Sequence, residues 1–256
     1  MPRQINFMRI FNCTILLILT LCVFHFPNYR LCAEQDIITT VQESMPAIVT
    51  IAAENTKLYQ SPPTATARDP RTGRIVVRKG LTTAAYNRIG AGVILDTSGI
   101  IVTNAHTISK ANRIKVILHD QTKIPAQPIK VISNYDLAYL QITPPYPLLP
   151  IVFADSDKVQ LKDEVITVGN SEVLKQTISG GFIIGIGTSA TEKEQGLDTT
   201  GLLQTSINLY KGDSGGPLLD KKGHLIGLMV AGQIKKDHSS FAIPSNKIKQ
   251  YYAQIH

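Results

Sequence analysis

The hydrophobic pattern of this 256-residue chain changes character near residue 33. A long apolar run, Ile15–Phe24, stands before that point, whereas later apolar residues come in short runs rich in Val, Ile and Leu. Gly, Pro, Asn and Asp separate these short runs. Short strands divided by turn residues are typical of barrels, while βα units would show longer helical periods between strands. We therefore predict an all-β fold after residue 33.

The predicted strands form two groups, one on each side of a proline cluster. The first group comprises Ala47–Ala53, Ala91–Leu95, Gly99–Thr103, Ile114–His119, Ile129–Ile132 and Leu137–Ile142. The second group comprises Glu164–Val168, Gly181–Ile186, Leu202–Thr205, Leu225–Val230 and Phe241–Ile243. Between them lie Pro144, Pro145, Pro147 and Pro150. We therefore expect an N-terminal β-barrel over residues 34–143 and a C-terminal β-barrel over residues 144–256.

Two further segments depart from the strand pattern. Glu54–Asn87 has no sustained period and contains several Pro, Gly and Arg residues, so it is predicted to be a long surface loop. Ser245–His256 places four apolar or aromatic residues on one helical face. This tail is predicted to be a C-terminal helix that packs on the second barrel.

The first 33 residues have the layout of an export signal. Arg3 and Arg9 precede an apolar run of ten residues, which is nearer the length of a signal peptide than that of a membrane span. We predict cleavage after Ala33 and delivery to the periplasm or cell envelope. An uncleaved membrane anchor over about Phe7–Phe26 is the alternative. All three cysteines lie in this leader, so the processed protein would contain no disulfide.

Charge and motif content argue against several function classes. The net charge is +7, but three of the arginines lie in the leader, so the remainder is only mildly basic and predicts no nucleic-acid partner. The chain contains no H-E-x-x-H motif and no pair of histidines at ligand spacing, so we expect no metal. It contains no phosphate-binding glycine loop either, and no cofactor is predicted.

The strongest chemical signal is Gly212–Pro217, with the sequence GDSGGP. A serine needs a nearby base to become a nucleophile, and it needs amide N–H groups aimed at the oxyanion that forms on attack. Glycines around Ser214 permit the tight turn that would aim such amides. The turn Gly212, Asp213, Ser214 is therefore the candidate oxyanion hole, with the amides of its two outer residues as donors. A plain glycine-rich turn is the alternative interpretation.

A histidine and an acid stand in settings that match this loop. His106 follows the apolar strand Gly99–Thr103, and Asp136 precedes the strand Leu137–Ile142. His106 would take the proton of the Ser214 hydroxyl, and Asp136 would orient its imidazole ring. A core histidine and a simple turn aspartate are the alternatives, with Asp120 as a rival acid.

This His–Asp–Ser order resembles that of the chymotrypsin-like serine proteases. Gly90–Val93 (GAGV), Val168–Asn170 (VGN) and Phe241–Asn246 (FAIPSN) narrow the resemblance to the HtrA/Deg branch, over about residues 36–256. The resemblance implies two six-stranded antiparallel β-barrels with short helices and a C-terminal helix. It places the catalytic site at the boundary between the barrels, and in this family a loop at 54–87 regulates activity or assembly.

The resemblance also implies a specificity pocket and possible partners. The pocket walls would contain Ile207, Asn208, Leu209, Met229, Val230 and Gly232. Asn208 stands where trypsin-like enzymes place an acid, so we expect cleavage after small or medium aliphatic residues. Asp213 replaces an asparagine that is common in the branch. The chain stops soon after FAIPSN, so no PDZ domain is expected, although a homotrimer through the protease domain is possible.

Together these features predict an exported serine endopeptidase that acts on unfolded or damaged envelope proteins or on peptides. The two alternatives are a chaperone-like binding protein that uses the same cleft without turnover, and a secreted effector protease with a specific target.

Overall fold

The computed structural model describes residues 39–60, 65–68, 75–78, 81–169, 177–188, 200–210, 212–230 and 239–255. The chain divides into two compact units, Met1–Gln42 and Glu43–His256. Of the first unit only residues 39–42 are described, and these are helical. The predicted signal peptide therefore lies outside the described residues. Within the described residues, no helix is long and apolar enough to cross a membrane.

The N-terminal half of the second unit is a seven-stranded antiparallel sheet. A 3-10 turn, Met45–Ala47, precedes β1 (Ile48–Gln60), β2 (Ala65–Arg68), β3 (Ile75–Arg78), β4 (Leu81–Ile94) and β5 (Ile100–Asn104). Then follow α1 (Ala105–Ile108), β6 (Arg113–Ile117), β7 (Lys123–Pro125), β8 (Gln127–Ile132), a 3-10 turn (Ser133–Tyr135) and β9 (Leu137–Gln141). The strand order is β7-β6-β1-β4-β5-β9-β8, with β2 and β3 paired separately.

The C-terminal half is a closed six-stranded barrel. After a 3-10 turn, Ser156–Lys158, come β10 (Glu164–Gly169), β11 (Thr177–Thr188), β12 (Leu202–Thr205), β13 (Pro217–Leu219), β14 (Leu225–Val230), β15 (Ser240–Pro244) and α2 (Ser245–Tyr252). The barrel order is β10-β11-β12-β15-β14-β13. The predicted all-β fold class, the closed C-terminal barrel and the C-terminal helix are confirmed. The N-terminal half differs in detail, because its strands form a seven-stranded sheet and not a six-stranded barrel.

The predicted loop over Glu54–Asn87 is wrong for the described residues. β1 and β4 pair without a register shift from Ile48 opposite Val93 to Gln60 opposite Leu81, and β2 pairs with β3 beyond them. The described parts of the segment are therefore paired antiparallel strands. Their backbone groups are satisfied by cross-strand pairing, which requires no hydrophobic period, so the sequence pattern gave no sign of it.

A hydrophobic cluster joins the two halves of this unit. It combines buried side chains of the N-terminal sheet with those of the barrel and of α2, namely Val93, Val102, Leu137, Tyr139, Leu202, Leu219, Leu225, Leu228, Ile243 and Ile248. The hydroxyl of Tyr139 in β9 donates to the carbonyl of Ile248 in α2 at 2.7 Å. Because interiors are close-packed, this shared core fixes the two sheets against each other and so positions the loops at their boundary.

Candidate active site

The register of two strands brings His106 and Asp136 together. β5 and β9 are antiparallel neighbours, with Asn104 opposite Leu137. His106 lies just after the end of β5, in the single turn of α1, and Asp136 lies just before β9. Asp136 adopts the left-handed conformation, with φ 53° and ψ 37°, which ends the preceding 3-10 turn. The two residues are 30 apart in sequence but adjacent at one edge of the sheet.

The carboxylate of Asp136 holds His106 through two hydrogen bonds. Nδ1 of the ring lies 2.7 Å from Oδ2, and the backbone N–H of His106 donates to Oδ1 at 2.8 Å. The Asp136 side chain is only 8% exposed, whereas that of His106 is 42% exposed. With Nδ1–H directed to the carboxylate, the lone pair of the ring lies on Nε2, which is the atom that a general base uses.

Backbone hydrogen bonds anchor the Ser214 loop to both sheets. The amide of Ala91 in β4 donates to the Ser214 carbonyl at 2.8 Å, and the amide of Gly215 donates to the Met229 carbonyl in β14 at 2.9 Å. Gly215 has φ 82°, and a Cβ there would stand 2.2 Å from the carbonyl oxygen of Ala91. Only glycine permits both this conformation and this close approach.

A second glycine sets the distance between the Ser214 loop and the histidine-bearing turn. A Cβ at Gly90 would stand 2.7 Å from Cγ2 of Thr107 and 3.1 Å from the carbonyl oxygen of Ser214. Thr107 follows His106 directly, so Gly90 lies between the two candidate catalytic elements. The hydrogen bonds of the described residues do not include one from Ser214 Oγ to the His106 ring. Such bonds are often long before substrate binds.

The amides of the turn divide into two kinds. Those of Asp213 and Gly216 donate to the carbonyls of Tyr210 and Asp213, at 3.1 Å and 3.0 Å. Among the backbone hydrogen bonds of the described residues, the amides of Gly212 and Ser214 make none. An oxyanion hole needs amides that are not engaged within the turn, and these two meet that condition among the described backbone hydrogen bonds; their role as the hole stays a prediction. The amide of Asp213 stabilises the turn through its hydrogen bond to the Tyr210 carbonyl.

Asp213 carries a buried carboxyl group beneath this turn. The residue is 2% exposed, and its Oδ2 accepts the Tyr210 amide at 2.8 Å. Thr177 Oγ1 donates to Oδ1 at 3.4 Å. Burial raises the pKa of the Asp213 carboxyl, although these two hydrogen bonds oppose the rise. The carboxyl contacts Gly169 so closely that a Cβ there would stand 1.9 Å from Oδ1.

The residues named for the specificity pocket occupy different environments. Ile207 and Met229 are buried in the core of the barrel, and Leu209 packs against the same core. Val230 is partly buried against the cluster that joins the two halves. Asn208 is exposed, while Gly232 lies outside the described residues. Ile207 and Met229 therefore support the barrel core, and their membership of a pocket wall stays a prediction.

Sequence reasoning missed two residues that contact the histidine and its acid. The side-chain amide of Asn104 donates to the Asp136 carbonyl at 3.2 Å, and the Arg88 guanidinium donates to the His106 carbonyl. Asn104 belongs to the turn expected at residues 104–106, where an asparagine side chain ordinarily bonds to nearby backbone, so its residue type did not indicate a contact with Asp136. Arg88 lies between the segment predicted to be a loop, Glu54–Asn87, and the motif Gly90–Val93, and the sequence analysis gave it no role.

Comparisons with known proteins agree with this geometry. The family described as trypsin-like peptidase domain matches residues 90–228. The magnetosome formation protease MamE of Paramagnetospirillum magneticum is 36% identical over 66% of this chain and 24% of its own length. The periplasmic pH-dependent serine endoprotease DegQ of Escherichia coli is 36% identical over 66% of this chain and 38% of its own. This chain thus spans well under half of either relative.

Solved structures give the same result. A variant of the HtrA-type protease AlgW with a decapeptide matches with a TM-score of 0.70 and 26% identity, over 86% of this chain and 66% of that one. AlgW with a tripeptide matches with a TM-score of 0.66 and 25% identity. The fold is therefore that of the chymotrypsin-like serine proteases. The chain belongs to the trypsin-like peptidase family, and its predicted likeness to the HtrA proteases is confirmed.

Proposed function

We propose that this protein is a serine endopeptidase in which Ser214, His106 and Asp136 form the catalytic triad. The observation that carries the proposal is the His106–Asp136 pair, joined at 2.7 Å, beside a glycine-rich serine loop. The HtrA-type proteases among the relatives support the same class of reaction. The amides of Gly212 and Ser214 form the oxyanion hole in this assignment.

The chemistry follows from the positions of these groups. His106 Nε2 takes the proton from Ser214 Oγ as that oxygen attacks the scissile carbonyl carbon. The negative charge on the carbonyl oxygen is stabilised by the two amides. The imidazolium, held by the Asp136 carboxylate, then gives its proton to the leaving amine. A water molecule repeats the sequence in the second half of the reaction and releases the acyl group from Ser214.

We further propose that the substrates are unfolded or damaged proteins of the cell envelope. DegQ is a periplasmic endoprotease by name, and AlgW was solved with peptides, which supports export and peptide binding here. Export would use the predicted leader, residues 1–33. The neutral, exposed Asn208 offers no ionic partner to lysine or arginine, which favours cleavage after small or medium aliphatic residues. A homotrimer through the protease domain is part of the same proposal.

Labelling with a fluorophosphonate probe tests the proposal directly. The probe reacts with an activated serine, so the purified protein is labelled with and without an unfolded protein, with Ser214→Ala as the control. Labelling that is lost in Ser214→Ala would establish the nucleophile. Labelling that requires the unfolded protein would indicate that substrate completes the site. The absence of labelling from folded protein under both conditions would refute the endopeptidase and favour a binding protein that uses the same cleft.

A further inference from the structure

Asp136 accepts four hydrogen bonds from three consecutive residues, 104–106, besides the one that its own amide donates to the Ser133 carbonyl. Its carboxylate oxygens receive the two bonds from His106, at 2.8 Å and 2.7 Å. Its backbone carbonyl accepts the amide of Ala105 at 3.1 Å and the side-chain amide of Asn104 at 3.2 Å. These bonds help to hold Asp136 in its left-handed backbone conformation, which few residues other than glycine adopt, although aspartate does so more readily than most.

Only one of these four donors belongs to a side chain that is not itself part of the triad. The amides of Ala105 and His106 would be present whatever residues stood there, and the ring of His106 is required for catalysis. The Nδ2 group of Asn104 is therefore the replaceable part of the arrangement.

The environment of Asn104 rules out its usual role. It occupies the cap position before α1 with φ −78° and ψ 144°, yet its side chain makes no capping hydrogen bond. Asparagine at this position normally accepts a helix amide through Oδ1. Here Oδ1 is buried and makes no hydrogen bond, and the residue is 0% exposed. Buried polar atoms without a partner are rare and costly in native proteins.

The orientation of the amide explains this unpaired atom. The Asp136 carbonyl can only accept, so the NH2 group of Asn104 must face it, and Oδ1 must then point into the core. A smaller or apolar residue would avoid the buried, unpaired oxygen. The unpaired Oδ1 of Asn104 thus destabilises the fold, whereas Nδ2 of the same side chain holds the acid of the proposed triad.

We propose that Asn104 is a positioning residue for Asp136, which sets the peptide plane of the acid and so aims its carboxylate at His106. This inference rests on the proposed function. Its test is Asn104→Leu, which keeps the branching at Cγ but removes both the donor and the unpaired acceptor. The expected result is a thermal stability close to that of the parent protein, with kcat lowered roughly 3- to 10-fold, the value of one hydrogen bond, and KM unchanged.

A second variant and a remote control separate positioning from folding. Asn104→Asp keeps the shape but replaces the donor with an acceptor that faces the Asp136 carbonyl, so its loss of kcat exceeds that of Asn104→Leu. Ser245→Ala deletes a buried donor to the Ala154 carbonyl, a bond of 2.8 Å between the first residue of α2 and the segment that precedes the turn Ser156–Lys158. It serves as the matched control, and its expected kcat equals that of the parent protein.

A spectroscopic reading does not depend on turnover. The proton between His106 Nδ1 and the Asp136 carboxylate gives a downfield proton resonance, which is compared in the parent, Asn104→Leu and Ser245→Ala proteins. Loss or displacement of this resonance in Asn104→Leu alone supports the inference. An unchanged resonance and unchanged kcat in folded Asn104→Leu would overturn it, as would a loss of kcat in proportion to unfolded protein. If the parent protein cleaves no peptide, the proposed function fails, and the resonance alone decides the role of Asn104.

Discussion

Gly90→Ala tests whether the spacing between the serine loop and the histidine turn is set by one missing methyl group. The new Cβ would stand 2.7 Å from Thr107 Cγ2 and 3.1 Å from the Ser214 carbonyl oxygen. Carbon atoms in contact normally lie about 3.5–4.0 Å apart. Thr107 is 3% exposed and stiff about χ1, and its Oγ1 would also stand 3.1 Å from the new Cβ, so its side chain has little room to move away. The Ser214 carbonyl is fixed by the amide of Ala91 at 2.8 Å. The two elements must therefore move apart.

The distance by which the serine loop and the histidine turn must separate determines how much stability and activity Gly90→Ala loses. Restoring ordinary contact with Thr107 requires a displacement of roughly 0.8 Å, from 2.7 Å to about 3.5 Å. Overpacking of this kind costs about 1–3 kcal/mol in the free energy of unfolding, which corresponds to a Tm lower by roughly 2–12 °C. A misplacement near 1 Å between reacting groups costs up to roughly 100-fold in rate. We therefore expect kcat/KM to fall by about 10- to 100-fold in protein that is still folded.

Two further variants make the test specific. Thr107→Ser removes the methyl group in the way, so Gly90→Ala combined with Thr107→Ser recovers part of the lost Tm and kcat/KM, and the double-mutant cycle is non-additive by about 1 kcal/mol or more. Gly180→Ala is the matched control, because a Cβ there meets only the Val165 carbonyl oxygen, at 4.0 Å. Gly90→Ala behaving like Gly180→Ala, or additive effects in the cycle, would refute the reasoning.

Two other substitutions test the acid and the buried carboxyl. Asp136→Asn keeps the shape of the site but presents an amide to His106, which favours the wrong tautomer of the ring. We therefore expect kcat to fall by roughly 10³- to 10⁴-fold with little change in KM. A loss of under about 10-fold in steady-state assays would contradict the role of Asp136. Burial raises the pKa of the Asp213 carboxyl in the folded protein. The protonated carboxyl therefore contributes its full stability at a pH below the ordinary carboxyl pKa, about 4. That contribution is lost as the pH rises through the raised pKa of the folded protein. Asp213→Asn should therefore gain in Tm over the parent protein from pH 4 to pH 8, and an advantage that shrinks over that range would contradict this sign.

Strands could be predicted from the sequence wherever burial imposes a pattern on the residues. Leu202–Thr205 and Leu225–Val230 have the predicted bounds, and the remaining predicted strands overlap observed ones. Lys123–Pro125 and Pro217–Leu219 were missed because three residues are too few to display a period. The pairing of β1 with β4 as far as Gln60 and Leu81 was missed for a different reason, since backbone pairing requires no hydrophobic period in the sequence.

The residues of the pocket illustrate what residue type cannot decide. The family resemblance placed Ile207 and Met229 in the pocket walls, and the structure shows both residues buried with the barrel core, so their place in a wall stays a prediction. Successive side chains of a strand point to opposite faces, so a shift of one residue exchanges core and surface. The orientation of Met229 depends on the register of β14, and that of Ile207 depends on how the chain leaves β12; a single sequence contains neither.

The candidate catalytic residues could be predicted because they depend on a few backbone contacts and not on the whole sheet. Antiparallel pairing of β5 with β9 is enough to bring the residue after one strand to the residue before the other. Close contacts at Gly90 and Gly215 are enough to bring the serine loop to the same edge. The short motifs around His106, Asp136 and Ser214 were therefore enough to predict the candidate catalytic residues from the sequence. The role of Asn104 could not be predicted in this way, because its importance lies in the orientation of one buried amide, which only the position of the Asp136 carbonyl determines.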